Sequence, residues 1–170
     1  MQKLKFYRIH GNAELPKYAT QGSACFDLSY SPENKESKIS VFQPYGVSRD
    51  RPVHAESLSI TVMPGERALL PTGLIADIPE GYSIRIHPRS SVSIKKGLSM
   101  PNSEGVIDSD YVHEMFLSVI NTTENKIEIM PGDRIAQAEL VPVIQCEISE
   151  IKKAPAQKKD RKGGIGSTGV

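Results

Sequence analysis

The chain is poor in the features that would sort it quickly into a class. It has two cysteines, Cys25 and Cys146, and no C-x-x-C pair, so neither a disulfide framework nor a cysteine-based metal knuckle can be drawn. Both thiols are expected to be reduced and buried. There is no excess of charge: 21 basic against 20 acidic side chains leave a net charge of +1, too little to steer the protein onto nucleic acid or an anionic membrane. No run approaches the ~20 apolar residues that span a bilayer, and MQKLKFYRIHG lacks the apolar core of a signal peptide. These absences point to a soluble, cytoplasmic protein with no membrane partner and no stable nucleic-acid partner. The four histidines (His10, His54, His87, His113) lack metal-ligand spacing, which argues against a structural zinc. There is no internal repeat, and no window holds a 3.6-residue apolar period beyond one or two turns.

What the chain does have is turns. Thirteen glycines and twelve prolines in 170 residues favour many short strands over long helices, in a single domain large enough for a real core. Alternating or apolar runs mark candidate strands at Leu4 to Ile9, in LSITV, RALLPTG, YSIRIH, MFLSVIN, KIEIM and RIAQAELV, and finally in VIQCEISEI. The expected fold class is all-β, with roughly eight to ten strands in a sandwich, jelly roll or barrel. After Pro88, RSSVSIKKG suits one helical turn closed by Gly97. Ser29 to Glu56 has little periodicity and reads as a surface insertion with a hairpin near Ile39 to Phe42. The residues after Ile151 are lysine- and glycine-rich with almost no apolar mass, and they are expected to be mobile unless held.

Three stretches carry candidate chemistry. Asp108 and Asp110 lie two apart, so their carboxylates point the same way and suit either a site that activates water or an Asp-Ser-Asp turn. Arg89, Ser90 and Ser91 follow a strand end. A guanidinium fork with hydroxyls at a helical start suits phosphate, and either serine also suits a helix N-cap. GGIGSTG, from Gly163 to Gly169, lets backbone N–H groups approach an anion, but no Gly-Lys-Ser/Thr makes it a Walker loop. Gln137 is polar on an alternating strand and can face solvent or a ligand.

Five segments, in order, resemble the five motifs of the trimeric dUTPases (deoxyuridine triphosphate nucleotidohydrolases). They are GSACFDL, PRSSVSIKKGL, the run from Asn102 to Asn121, GDRIAQAEL and GGIGSTG. The resemblance covers the chain apart from Ser29 to Glu56. It implies a distorted jelly roll of the β-clip type over residues 1–151, assembled as a homotrimer, with a mobile arm over residues 152–170. Each site would be shared between subunits, the arm closing over a neighbour. The implied reaction is Mg²⁺-dependent hydrolysis of dUTP to dUMP and pyrophosphate, by in-line attack of water on the α-phosphorus.

The resemblance also distributes roles. Asp108 would activate the water, and Asp110 would support the hairpin. Asn102, with the backbone at Gly105, Val106 and Ile107, would read the uracil edge, while Tyr111 would pack on the deoxyribose. Arg89, Ser90, Ser91 and Gln137 would contact phosphates, and Asp27 would face the metal through water, Mg²⁺ being held mainly by the phosphates. Arg161, Gly164, Ile165, Gly166, Ser167 and Thr168 would form the lid. Ile165 stands where the family usually has Phe, Asp160 where it has the arm arginine, and Val112-His113 where it has Arg-Gly. A dCTP deaminase of the same fold would need a catalytic glutamate at the position of Ser118. A regulatory binding trimer with weak turnover is the alternative of another class.

Overall fold

A computed structural model describes residues 3–156. Thirteen strands and one single-turn π-helix occur among them. The strands are β1 (Lys5–Arg8), β2 (Phe26–Ser29), β3 (Lys38–Phe42), β4 (Ser48–Pro52), β5 (Ile60–Val62), β6 (Arg67–Pro71), β7 (Leu74–Asp77), β8 (Tyr82–Pro88), β9 (Leu98–Ser99), β10 (Gly105–Ile107), β11 (Phe116–Asn121), β12 (Ile127–Ile129) and β13 (Arg134–Pro142). The helix is Val92–Lys96, ended by Gly97 at φ +66°. Its single turn and glycine stop agree with the sequence. The all-β class holds, in a jelly-roll arrangement. The strand number exceeds the eight to ten expected because two- and three-residue strands such as β9 and β10 are too short to show alternation.

Two sheets carry the body. One has the order β10-β8-β13-β2 and the other β4-β3-β6-β11-β9, with two-stranded ribbons β1-β7 and β12-β5 beside them. Period-2 alternation sends one face of each strand inward. Ile84, Ile86, Ala136, Ala138 and Leu28 come from the first sheet. Ile39, Val41, Ala68, Leu70, Leu117 and Val119 come from the second, and all join a single core.

The stretch read as a surface insertion departs from that description. It contains the β3–β4 hairpin, whose β3 pairs with β6 at Ser40↔Leu69, Val41↔Ala68 and Phe42↔Arg67. Ile39, Val41 and Tyr30 are at most 1% exposed. The hairpin is pinned by charge as well. Arg51 of β4 makes two 2.8 Å bonds to the carboxylate of Glu66, which also accepts from Gln43 Nε2 and the Met63 N–H. A stretch whose charges pair inward shows no apolar period, which is why the sequence reads it as surface.

Two other expectations fail. VIQCEISEI forms no strand: none of the strands among the described residues pairs with it, and Ile144 and Ile148 are more than nine-tenths exposed. Cys146, on that segment, is therefore exposed, and Cys25 is partly so. No helix among the described residues is long and apolar enough to cross a membrane.

Candidate active site

β2, β13 and β8 lie side by side, in a register that aligns Asp27 with Gln137 and Gln137 with His87. Arg89 follows immediately on β8. The Asp27 carboxylate sits between two guanidinium groups, Oδ1 2.9 Å from Arg89 Nε and Oδ2 3.0 Å from Arg134 Nη1. Arg89 Nη1 also donates to the Arg134 carbonyl at 2.9 Å, and Gln137 Nε2 donates to the Pro88 carbonyl at 3.1 Å. Two fixed cations against one carboxylate leave positive charge at this end, as an anion subsite requires.

Ser90 and Ser91 are exposed where the helical turn begins. The Arg89 carbonyl takes the N–H groups of Val92 (3.0 Å) and Ser93 (2.9 Å). Ser91 stands at the N-cap, yet its side chain makes no capping bond. Of the two readings of these serines, Ser91 is thus not spent on capping, and its hydroxyl faces outward. Arg134 escaped the sequence reading. The one signal was its place in GDRIAQAEL, where a β-bulge between Arg134 and Ala136 interrupts the register. Beside Asp27 and Arg134 opens a cleft of about 660 Å³, flanked by Arg8, Glu14, Lys17 and Tyr18.

The hairpin runs antiparallel along β8, its Asn102 turn beside the His87 end and Asp108 toward Ser83. A turn after Met100 carries the exposed Asn102, with Ser103 at φ +60° and the Glu104 N–H 2.6 Å from the Asn102 carbonyl. β10 then pairs with β8 at Gly105↔Ile86, Val106↔Arg85 and Ile107↔Ile84. A Cβ on Gly105 would stand 3.3 Å from Ile86 Cβ, so glycine lets this strand lie close. Glu104 bonds Arg85 at 3.0 Å, tying the turn to the sheet.

Asp108 and Asp110 emerge where β10 ends. With Ser109, Glu80, Tyr82 and Gln145 they line a cleft of about 530 Å³. The two carboxylates do share one space, as their spacing implies. The Tyr111 N–H donates to the Asp108 carbonyl at 3.2 Å, closing the turn, and the Tyr111 hydroxyl donates to the Glu114 carbonyl at 2.8 Å. Its ring meets His113 edge-on at 5.7 Å. Glu114 is half-buried, and burial pushes its carboxyl above the ordinary value, opposed by the Gly73 N–H it accepts.

The Asp108 carboxylate and the Arg89–Arg134 pair thus lie apart on one chain. The register sets Asp108 beyond Ile107, opposite Ser83, whereas Arg89 lies beyond Pro88. At ~3.3 Å per residue, the six steps from Ser83 to Arg89 separate them by about 20 Å. For a metal, both oxygens of Asp27 already face guanidinium groups, and among the described residues no three His, Cys, Asp or Glu side chains cluster to hold an ion. Asp27 suits an outer role, toward waters on an ion carried in by an anion. The expected lid residues Arg161, Gly164, Ile165, Gly166, Ser167 and Thr168 lie outside the described residues.

Fold and side-chain geometry together define a jelly-roll protein with an acidic cleft and a separate pair of arginines. The family model for dUTPase matches residues 53–169. The deoxyuridine 5'-triphosphate nucleotidohydrolase of Brucella melitensis is 40% identical over 157 residues, covering 92% of this chain and 85% of that one. That of Chlamydia pneumoniae is 35% identical over 165 residues, covering 97% of each. The chain belongs to the dUTPase family. Its fold is shared by the dUTPase of Staphylococcus bacteriophage 80alpha with dUPNHPP, at a TM-score of 0.76 and 21% identity over all of both chains.

Proposed function

We propose that the protein is a dUTP diphosphatase that hydrolyses dUTP to dUMP and pyrophosphate. Family membership supports the substrate, and the observation that carries the mechanism is the pair of half-sites at opposite ends of β8. A water and the phosphorus it attacks stand about 3–3.5 Å apart in a reactive pose. Asp108 and Arg89, separated by about 20 Å of strand, cannot serve one phosphate within a chain. A homotrimer in which one subunit's hairpin faces another's Arg89 end meets the requirement. The exposed Ile144, Ile148 and Ile151 on the extended segment after β13 support association as well.

In this reading Asp108 accepts a proton from the water as it attacks the α-phosphorus in line. Asn102 and the backbone of Gly105 to Ile107 hold the uracil edge, and the ring of Tyr111 closes the space at the sugar C2′. Arg89, Ser90, Ser91 and Gln137 bind the phosphates, with Arg134 beside them. Asp27 would face the waters of a Mg²⁺ carried by the phosphates, which would supply charge neutralisation. The arm, from Arg161 through Gly164, Ile165, Gly166, Ser167 and Thr168, closes over the occupied site and excludes water.

The test is pyrophosphate release from dUTP. Wild type is expected to turn over with Mg²⁺ and to stop with EDTA. Asp108→Asn is expected to lose about 10²–10⁴-fold, the usual contribution of a general base. No release by wild type, or ammonia release from dCTP instead, overturns the proposal.

A further inference from the structure

Glu114 is the half-buried carboxylate that this mechanism leaves unused. Its Oε1 accepts the Gly73 N–H at 2.7 Å. Gly73 cannot shift easily. It sits at φ +67°, and a Cβ there would stand 2.6 Å from His10 Nε2 and 2.7 Å from Ala13 Cβ. Two more bonds dock the same chain crossing. Met115 N–H donates to the Leu74 carbonyl at 2.9 Å, and Thr72 Oγ1 donates to the Met115 carbonyl at 2.7 Å. Thr72 and Met115 are buried, so this attachment is rigid.

The other side of Glu114 faces the site, since its backbone carbonyl receives the Tyr111 hydroxyl at 2.8 Å. One residue therefore links a fixed turn to the Tyr111 ring. The side chain is held by Gly73, and the carbonyl holds the phenol. Between Asp108 and Glu114 the chain has no strand pairing, so the ring's position depends on these end attachments. Neither Glu114 nor Tyr111 lines the Asp108 cleft itself, so Glu114 is connected to the site only through the ring.

We infer that Glu114 is a positioning residue for Tyr111, and that through the ring it sets discrimination between deoxyribose and ribose triphosphates. This rests on the reading of Tyr111 as the residue closing the sugar's C2′ face. Without the carboxylate the Gly73 N–H loses its acceptor and the Glu114–Met115 peptide is held only from the Met115 side, so the carbonyl that takes the Tyr111 hydroxyl can tilt and the phenol shifts with it. Space then opens for a 2′-hydroxyl. Charge is not required. A glutamine carbonyl accepts the same N–H, whereas an alanine has nothing to offer.

The experiment compares kcat/KM for dUTP and UTP in wild type, Glu114→Gln, Glu114→Ala, Tyr111→Phe and the Glu114→Ala/Tyr111→Phe double variant. Glu114→Ala is expected to raise the UTP-to-dUTP ratio about tenfold, the loss of one or two ordering hydrogen bonds. Glu114→Gln should restore the ratio to within about twofold of wild type, and the double variant should match Tyr111→Phe alone because both act on one ring. Glu114→Asp, one methylene short of the Gly73 N–H, is the second variant should alanine not fold, and it should shift the ratio in the same direction. Equal losses for both substrates, or singles that multiply in the double variant, overturn the inference. Dissociation constants of the α,β-imido analogues of dUTP and UTP, which need no turnover, are measured in parallel. A shifted binding ratio without pyrophosphate release from wild type supports Glu114 while overturning hydrolysis. Absence of any dUTP-analogue preference in wild type overturns both.

Discussion

Arg134 illustrates what a single side chain can contribute at the anion subsite. It pairs with Asp27 at 3.0 Å and lies more than half exposed beside the larger cleft. A charge-assisted bond to a phosphate is worth about 1.5–3 kcal/mol, so Arg134→Ala is expected to raise KM for dUTP at least about tenfold. Steady-state kinetics at fixed ionic strength measures this, and kcat should fall less. Glu66 shows a carboxylate used for stability. The Arg51 guanidinium, bonded to it, holds its carboxyl below the ordinary value of 4.5, against the opposing effect of burial. A depressed folded-state value means stability present above the unfolded value and lost as pH falls through 4.5 and below. Urea midpoints between pH 7 and 3 should fall over that window. Glu114 carries the opposite sign. Its raised value means that stability declines as pH rises from 4.5 through the folded-state value. Glu114→Gln is therefore expected to melt no lower than wild type at pH 7.

Among the elements, the β3–β4 hairpin depends most on a contact invisible along the chain. Its outer strand, SRDRP, has no apolar residue to bury except through the Arg51–Glu66 fork. Glu66 is 2% exposed, so Arg51→Ala strands a charge inside the protein. Breaking such a pair costs about 3–5 kcal/mol where both partners are buried, and Arg51 is partly exposed, so about 3 kcal/mol is expected. Chemical denaturation at pH 7 reads it. The same variant should flatten the acid dependence described above, because Glu66 would no longer hold a proton affinity below its unfolded one. β8 is the other decisive element. Its inward residues Ile84 and Ile86 anchor it, and its two ends separate the carboxylate cleft from the arginine pair.

At the scale of the assembly, a site shared between chains has a simple genetic signature. Asp108→Asn and Arg89→Ala are each expected to be inactive alone. In the proposed homotrimer, the two variants unfolded together in equal amounts and refolded would form mixed trimers in which one site of three regains both groups. Roughly a quarter of wild-type activity should return under random three-fold assembly. No recovery, with mixed trimers demonstrated by mass, means that both groups act within one chain. Removal of residues 163–170 should leave the trimer mass unchanged in sedimentation while sharply lowering kcat, as loss of a lid does.

Much of the fold was legible because alternation is local. Burial on one face repeats every second residue, so YSIRIH, MFLSVIN and RIAQAELV announced β8, β11 and β13 without reference to partners. The Asp108–Asp110 pair and the helical turn after Arg89 were legible for the same reason, since a spacing of two residues or a glycine stop is a property of the chain itself. Tertiary structure decided what depends on partners distant in sequence. It placed a charged hairpin in the core sheet through Glu66, brought Arg134 to Asp27 across 107 positions, and left VIQCEISEI without a neighbour strand. It also joined Glu114 to Gly73 and so to Tyr111. The sequence determined which strands form and which groups carry charge, because both follow from neighbours along the chain. Only the packed sheets decided which charges meet, because hydrogen-bond geometry is set by register across strands.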